Sequence, residues 1–364
     1  MADNFHEKQA KLIVNYSIAV EKGDKVLIQA PAAADPLIKE LYKEIIIAGG
    51  HPFLRLHLED LEPIFYEYAQ PHHLDFKDPY YKYALETLEG RIYILGDYNT
   101  RQNSSVPPEK IARRSGAVRE LFEILMNRVA TNELRTNIAP FATSGLAQEA
   151  NMSRMEFQSL IIRTLFLDKE DPVAEWQKVS KRQQVWKEHL DKIKELHIIG
   201  DDTDLKMSVA GRTWYNCDGK RNLPDGELFS APVDDSATGE IRFAFPGIFQ
   251  GNEIDDIRLM FAKGKVVKAK AAQGEDFLQK IIKTDAGAER LGEIGIGTNP
   301  GVTRLTRSIL FDEKMGGTIH LALGIASPEV GGTNKSGIHW DILAKPDEIY
   351  GDGELIWKAG EFTF

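Results

Sequence analysis

The sequence predicts an α/β fold in two parts, an N-terminal α/β domain built on a parallel sheet and a C-terminal α+β domain rich in β-strands. Through residues 26–58, strand, helix and strand patterns alternate with short connections, which is typical of parallel sheets. Beyond His197, short apolar runs separated by Gly, Asp and Asn are typical of antiparallel strands. The 364 residues, 42% hydrophobic and 27% charged, suffice for two globular domains, which we predict at 1–195 and 196–364.

The N-terminal part alternates between helical and strand patterns. Residues 5–20 carry apolar side chains at helical spacing and predict an amphipathic helix. The apolar run 26–28 predicts a buried strand, and Asp35 followed by Pro36 predicts the start of a helix that ends before Gly49. The other predicted elements of this part are strands at 52–58, 91–95 and 138–141, a helix at 107–129, and helical pieces over 143–195 that include a capping box at Ser153 and Glu156 and a long charged helix from 172.

The C-terminal part is dominated by strand patterns. Several apolar runs alternate with polar residues, as expected where successive side chains of a strand point to opposite faces of a sheet. The predicted strands are 205–209, 241–245, 257–261, 266–269, 291–296, 318–323 and 338–343.

The acidic composition argues against several classes of function. With 45 basic and 55 acidic residues the net charge is −10, and general binding to nucleic acid or to anionic membranes requires a basic surface instead. No apolar run approaches the ~18 residues of a membrane span, and residues 1–11 lack the apolar stretch of a signal peptide. Cys217 is the only cysteine and is interpreted as a buried structural thiol that forms no intramolecular disulfide. We therefore expect a cytoplasmic protein.

A histidine and an aspartate near the C-terminus have the spacing of a metal-binding pair. In the segment Gly-Ile-His-Trp-Asp-Ile-Leu at 337–343, His339 and Asp341 share one face of the predicted strand, and the apolar residues share the other. Taken alone, this pattern favours a His–Asp hydrogen bond on a solvated edge strand. Three further residues change that balance.

The residues next to each of these three side chains in the sequence are small or form a turn, which leaves the side chain accessible to a ligand. His320 shares its strand face with two small residues, and Glu293 shares its face with Gly295 and Gly297, so that a ligand can approach the carboxylate. Glu227 follows a Pro-Asp-Gly turn, which can direct a side chain from the start of a strand. For each residue taken separately, an ordinary surface position is the alternative.

Together, three carboxylates and two imidazoles suit divalent ions of the Zn, Co or Mn kind. Five side chains are too many for one tetrahedral zinc, but they can hold two ions if one carboxylate bridges them. We hypothesise that Glu293 is the bridge, because glycines flank it on its own face. Either Glu227 or Glu293 could accept a proton from an attacking water, and the sequence leaves that choice open. Such a pair of ions is suited to metal-assisted hydrolysis, in which a bound water is activated at neutral pH.

These segments resemble the M29 family of metallo-aminopeptidases, the thermophilic aminopeptidase T type. The resemblance is carried by GRTWYNCDGKRNLPDGELFSAP, GEIGIGTNP, LFDEKMGGTIHLALG and GGTNKSGIHWDIL, which begin at residues 211, 292, 310 and 331, and it extends more weakly over nearly the whole chain. The metal ligands of the family fall on the same five positions, which are Glu227, Glu293, His320, His339 and Asp341.

The resemblance implies a metal-dependent aminopeptidase that removes N-terminal residues from peptides. It also implies an α/β N-terminal domain, a metal site in the C-terminal domain, and a homodimer whose active sites open into an enclosed cavity.

One position departs from the family pattern. Seven residues after the first ligand histidine the family usually has a tyrosine, which assists catalysis by hydrogen bonding to the developing oxyanion or to the water. Here the position is Ser327, whose hydroxyl is shorter and needs a water to reach the same point. Glu293 and Ser327 are our candidate catalytic residues. Serine in place of the family's tyrosine implies that the activity is reduced, redirected or assisted by another group.

Two other functions stay open at the level of sequence. A ring-cleaving dioxygenase branch resembles this family and binds one iron through two histidines and one carboxylate, a role that His320, His339 and Asp341 could fill. The presence of both Glu227 and Glu293 favours the two-metal hydrolase. A metal-free binding protein on the same scaffold is the third interpretation.

Overall fold

A computed structural model describes residues 5–364 of the chain. The chain forms two compact units, one of residues up to Glu175 together with 219–224, the other of 176–218 together with 225–364. The predicted domain border, which divides the chain into 1–195 and 196–364, stays a prediction. In the described residues, no helix has both the length and the apolarity that crossing a membrane requires.

The first unit is built on a four-stranded sheet in which every pair of neighbouring strands is parallel. The strands are β1 (Lys25–Pro31), β2 (His51–His57), β3 (Gly90–Leu95) and β4 (Arg135–Pro140), in the order β2-β1-β3-β4. The parallel α/β prediction is confirmed. Parallel neighbours need crossover connections, and helices supply them here.

Eight α-helices belong to the described residues of the first unit. They are α1 (Phe5–Leu12), α2 (Asp35–Ile47), α3 (Leu61–Tyr68), α4 (Pro71–Leu74), α5 (Pro79–Thr87), α6 (Pro108–Ala130), α7 (Ser144–Glu149) and α8 (Arg154–Thr164). The capping box is present, because the Ser153 hydroxyl accepts the Glu156 N–H and the Glu156 carboxylate accepts the Ser153 N–H. The sequence analysis missed α3, α4 and α5, which have fewer than ten residues each and so too few turns for a clear apolar period.

The predicted helix over 5–20 is shorter and less regular than expected. After α1 the backbone widens into a π-helical turn at Ile13–Ser17, where the Ile18 N–H bonds to the Ile13 carbonyl at 3.0 Å. Ala19 follows with a φ of 42°, a left-handed conformation that ends the helix.

The long helix α9 (Pro172–Leu190) belongs to the second unit from Trp176 onward, and the rest of that unit is mostly β-structure. The helix ends at Leu190, before the predicted limit of 195, because residues from Glu195 onward form a strand. The strands are β5 (Glu195–Gly200), β6 (Thr203–Ser208), β7 (Tyr215–Cys217), β8 (Glu227–Ser230), β9 (Thr238–Phe243), β10 (Gly247–Phe249), β11 (Asn252–Ile254), β12 (Ile257–Ala262), β13 (Lys265–Lys270), β14 (Leu291–Gly297), β15 (Ile319–Gly324), β16 (His339–Ala344), β17 (Glu348–Gly351), β18 (Glu354–Lys358) and β19 (Glu361–Phe362), and two short helices are α10 (Glu275–Ile282) and α11 (Ile309–Asp312).

These strands form antiparallel sheets, which confirms the β-rich prediction. An eight-stranded sheet has the order β13-β12-β9-β6-β5-β17-β18-β19, a five-stranded sheet has the order β16-β15-β14-β8-β7, and β10 pairs with β11. One apolar core contains side chains of both large sheets, among them Ile294, Leu321 and Trp340 from the five-stranded sheet. Because strand side chains alternate, burying these three residues directs their neighbours to the opposite face.

Candidate metal centre

Four adjacent strands of the five-stranded sheet carry the five candidate ligands on the face opposite the core. The ligands are Glu227 at the start of β8, Glu293 on β14, His320 on β15, and His339 and Asp341 on β16. The registers bring them together, since Glu227 pairs with Gly297, Gly295 pairs with His320, and Ala322 pairs with both Glu293 and Asp341. Paired residues of neighbouring strands lie on the same face of a sheet. The five side chains therefore converge.

Glu293 lies between the two imidazoles. Its Oε1 is 3.2 Å from Nε2 of His320, and its Oε2 is 3.9 Å from Nε2 of His339. Glu227 Oε2 lies 3.6 Å from Nε2 of His320, and Asp341 Oδ2 lies 3.4 Å from Nε2 of His339. The cluster thus divides into two groups that share one carboxylate, an arrangement suited to two cations with a bridging ligand.

The glycines beside Glu293 have a different role from the one the sequence suggested. A Cβ on Gly295 would lie 2.0 Å from Cε1 of His320, and a Cβ on Gly297 would lie 2.2 Å from the carbonyl oxygen of Met315. The space next to Glu293 is therefore filled by an imidazole and by the turn that precedes β15. The missing side chains let the neighbouring strand's ligand approach the sheet.

The ring orientation of His339 suits a metal ligand. Its Nδ1 lies 2.9 Å from the carbonyl oxygen of Ile325, which can only accept a hydrogen bond, so Nδ1 carries the proton. In the neutral ring this leaves the lone pair on Nε2, which faces Glu293 and Asp341. Metal-bound histidines characteristically have their second nitrogen fixed in this way.

Buried polar atoms without a hydrogen-bond partner also fit a bound cation. In the part of the chain that the structure describes, Glu227 Oε2 and Asp341 Oδ1 are buried carboxylate oxygens that accept no hydrogen bond. Native proteins rarely leave such atoms unsatisfied. Both oxygens belong to the five-residue cluster. The donor atoms of the cluster and these unsatisfied acceptors are those of a site for hard or borderline divalent ions.

The carboxylates perturb both imidazoles strongly. Burial lowers the pKa of His320, but the hydrogen bond with Glu293 and the charges of Glu227 and Asp341 outweigh it and raise the pKa to about 9. For His339, burial is likewise outweighed by the hydrogen bond and charge of Asp341, and the pKa is raised to about 10. Negative charge is thus concentrated where a cation would lie.

A buried lysine next to the cluster was not identified from the sequence. Lys314 Nζ lies 2.5 Å from Glu227 Oε1, 2.5 Å from Glu313 Oε1 and 3.6 Å from Asp225 Oδ1, and the lysine side chain is 1% exposed. Burial opposes its charge, but the three carboxylates outweigh burial and raise the pKa of Lys314, so it is an ammonium. Glu313 also lies close enough to Glu227 and His320 to be a further candidate ligand.

No periodic pattern marks Lys314 or Glu313, because both lie in the turn before β15. Their position inside LFDEKMGGTIHLALG, one of the segments that carry the family resemblance, was the available signal.

Ser327 lies in the loop after β15, at the start of the short 3₁₀ turn Pro328–Val330. Its carbonyl accepts the N–H of Gly332 at 2.9 Å, and the residue is half-buried. Among residues 5–364, no hydrogen bond joins the Ser327 hydroxyl to the five clustered side chains. The structure thus brings the five ligands together without bringing this hydroxyl into direct contact with them, and the catalytic assignment of Ser327 stays a prediction.

Cys217 is buried, and burial raises its pKa well above the ordinary value, with the charges of Asp225 and Glu227 acting in the same direction. This agrees with its interpretation as a structural thiol, since a nucleophilic cysteine needs a lowered pKa.

Comparison with known proteins agrees with this geometry. The profile of the thermophilic metalloproteases (M29) matches residues 2–362. The chain belongs to the M29 family. Among curated M29 relatives, it is 26% identical to aminopeptidase T of Thermus thermophilus, over 95% of this chain and 94% of that protein. It is 24% identical to aminopeptidase 2 of Geobacillus stearothermophilus, over 98% and 97% of the two chains.

Two solved structures resemble this M29 chain over nearly its full length. Wild-type AmpT from Thermus thermophilus matches with a TM-score of 0.87 at 23% identity, covering 99% of both chains. A 2,5-dihydroxypyridine dioxygenase from Pseudomonas putida KT2440 matches with a TM-score of 0.58 at 13% identity, covering 100% of this chain and 98% of that one. At these identities the likeness is one of fold.

Proposed function

We propose that this M29 protein is a metal-dependent aminopeptidase that removes N-terminal residues from peptides, with two divalent ions of the Zn, Co or Mn kind. The observation that carries the proposal is the position of Glu293, whose two oxygens face two different imidazoles, at 3.2 and 3.9 Å. Membership of a metalloprotease family and full-length similarity to proteins named aminopeptidases support it.

The donor set divides between two ions in this proposal. Glu227, His320 and Glu293 Oε1 would hold the first ion, and Glu293 Oε2, His339 and Asp341 the second. When bound, such ions lower the pKa of a coordinated water and polarise the scissile carbonyl. The protein contributes preorganisation, because four strands fix the ligands, and the burial of Glu227 and His320 limits competing water around the first group.

The residues have distinct tasks in the proposed reaction. Glu293, shared between both groups, would contribute one oxygen to each ion, and it is the carboxylate that would accept a proton from the attacking water. His339 keeps its proton on Nδ1 through the Ile325 carbonyl, so Nε2 stays available as a donor atom. The Ser327 hydroxyl would act on the developing oxyanion through a water. A free substrate amine would be attracted by the surplus of carboxylates around the site, which would make the enzyme an exopeptidase.

The decisive test is hydrolysis by metal-depleted protein reconstituted with Zn, Co, Mn or Mg. We expect cleavage of aminoacyl-amides and no cleavage of the same substrates acetylated at the amine, together with two ions per chain. Equal cleavage of the acetylated substrates would contradict exopeptidase action. One iron per chain with ring cleavage would support the dioxygenase instead. Absence of any turnover, unaffected by His339→Ala, would support a metal-free binding protein.

The homodimer and the compartment belong to the same proposal. Strand β2 is an edge of the parallel sheet, yet Phe53, Leu54, Leu56 and Leu58 are 46–56% exposed on and beside it. Natural proteins usually cover or charge such edges. We propose that a second copy of the chain covers this edge.

A single buried Cys217 and the absence of an intramolecular disulfide support a cytoplasmic location.

A further inference from the structure

Lys314 is held rigidly in the turn between α11 and β15. Its N–H donates to the Phe311 carbonyl at 3.0 Å, and its carbonyl accepts the Asn299 N–H at 2.9 Å. With both backbone groups bonded and the side chain 1% exposed, the ammonium has little freedom to move. Lysine is seldom buried so completely unless it is paired.

The ammonium contacts only one of the two oxygens of Glu227. Nζ is 2.5 Å from Oε1, whereas Oε2 lies on the side of His320, 3.6 Å from its Nε2, and accepts no hydrogen bond within residues 5–364. An ammonium has three donor positions, and Glu313 and Asp225 lie near the other two, at 2.5 and 3.6 Å. The carboxylate plane of Glu227 is therefore set by Lys314.

We propose that Lys314 is a positioning residue, which holds Glu227 through Oε1 so that Oε2 faces the ion shared with His320. This inference rests on the proposed two-metal site. It makes Glu227 a one-oxygen ligand of the first ion, and it makes the binding of that ion dependent on a residue that does not itself touch metal. Among residues 5–364, no hydrogen bond or ion pair joins the ammonium to the second group, Glu293 with His339 and Asp341, which it affects only through the longer-range action of its charge on Asp341.

Electrostatics makes the test decisive, because positioning and charge act in opposite directions. An ammonium repels a nearby divalent ion, but it also lowers the pKa of Glu227, which burial raises to about 8. Removing its charge alone therefore strengthens ion binding only where Glu227 stays ionised, so binding is compared above about pH 9. Releasing Glu227 from its fixed orientation would instead weaken binding. A neutral side chain of similar length at position 314 therefore separates the two effects by the sign of the change.

The experiment measures metal content and binding isotherms of metal-depleted protein titrated with Mn²⁺ or Zn²⁺, for wild type and for Lys314→Met. We expect the first ion to bind at least tenfold more weakly in Lys314→Met, with the second unchanged. The matched control is Lys268→Met, an exposed lysine on β13, which should bind both ions as wild type does. Equal or tighter binding of both ions by Lys314→Met would overturn the inference, whatever its melting temperature.

Three further variants keep the test decisive if Lys314→Met does not fold. Asp225→Asn with Lys314→Met removes one buried charge of each sign, and it should still lose the first ion, whereas Asp225→Asn alone should retain it. Lys314→Gln keeps a donor for Glu227 Oε1 and should restore part of the affinity; no restoration counts against positioning. If wild type itself binds no ions, the proposed function fails; if wild type and all variants bind two, only the role of Lys314 fails.

Discussion

Replacing Gly295 by alanine should remove one ion from the proposed site while leaving the fold intact. Gly295 lies on β14 and pairs directly with His320 on β15. Its backbone is outside the left-handed region, so alanine is conformationally acceptable there. The new methyl group would meet the imidazole ring of His320, which is fully buried.

The structure sets the size of the effect. The added Cβ would lie 2.0 Å from Cε1 and 2.1 Å from Nε2 of His320. Carbon atoms in contact are ordinarily about 3.5–4.0 Å apart, so the ring or the strand must move by roughly 1.5 Å. Overpacking of this kind costs about 1–3 kcal/mol of stability. Misplacing a catalytic group by ~1 Å can cost about 10²-fold in rate, and we expect a loss of that order in kcat.

The assay compares metal equivalents per chain, kcat for an aminoacyl-amide and melting temperature for wild type, Gly295→Ala and a control. The control is Gly116→Ala, in the middle of α6, where an added Cβ meets nothing within 4 Å. That variant should gain about 0.5–1 kcal/mol and keep both ions. If Gly295→Ala binds two ions and keeps kcat within threefold of wild type, the packing of His320 on this glycine does not control the site.

Four other outcomes are expected. The imidazoles of His320 and His339 have raised pKa values, of about 9 and 10, so metal binding at pH 7 should release protons. Calorimetry in buffers of different ionisation enthalpy should detect this release, and a binding enthalpy that does not depend on the buffer would contradict it. Burial raises the pKa of Asp312 from 3.8 to about 7 despite hydrogen bonds from Thr306. Between these two values the native state holds a proton that the unfolded chain has released. The free energy of unfolding should therefore fall as the pH rises from ~4 to ~7, by at most ~4 kcal/mol. Urea unfolding of Asp312→Asn should show a weaker fall over this range, and an unchanged one would refute the assignment. Ser327→Tyr should raise kcat several-fold with little change in KM; an unchanged kcat in a folded variant argues against a catalytic role there. Leu54→Glu with Leu56→Glu should convert a dimer to a monomer in sedimentation without altering metal content, and a monomeric wild type would refute the proposed interface.

The parallel sheet was predictable because its signals are local. The run 26–28, the Asp35-Pro36 helix start and the glycines after α2 each act within a few residues, and the structure has β1 and α2 where they were expected. The π-helical turn at Ile13–Ser17 was not predictable in the same way, since apolar spacing hardly distinguishes one helical turn from a slightly wider one.

Alternation along single strands was enough to nominate the five ligands. A period of two places His339 and Asp341, or Glu293 with its glycines, on one face whatever the rest of the fold does. What alternation leaves open is which strand lies beside which. The order β16-β15-β14-β8 decides that Glu293 stands between two imidazoles.

The sequence by itself determined the fold class, the family and the face of each strand that carries chemistry, because propensity, capping and alternation depend on neighbouring residues. Only the tertiary structure decided that Gly295 makes room for His320 and that Lys314 forms an ion pair with one oxygen of Glu227. Those facts arise from strand register and from a turn that packs against another strand's end. Contacts between residues far apart in the chain leave no pattern in the local sequence, because only the folded structure determines how far apart those residues lie in space.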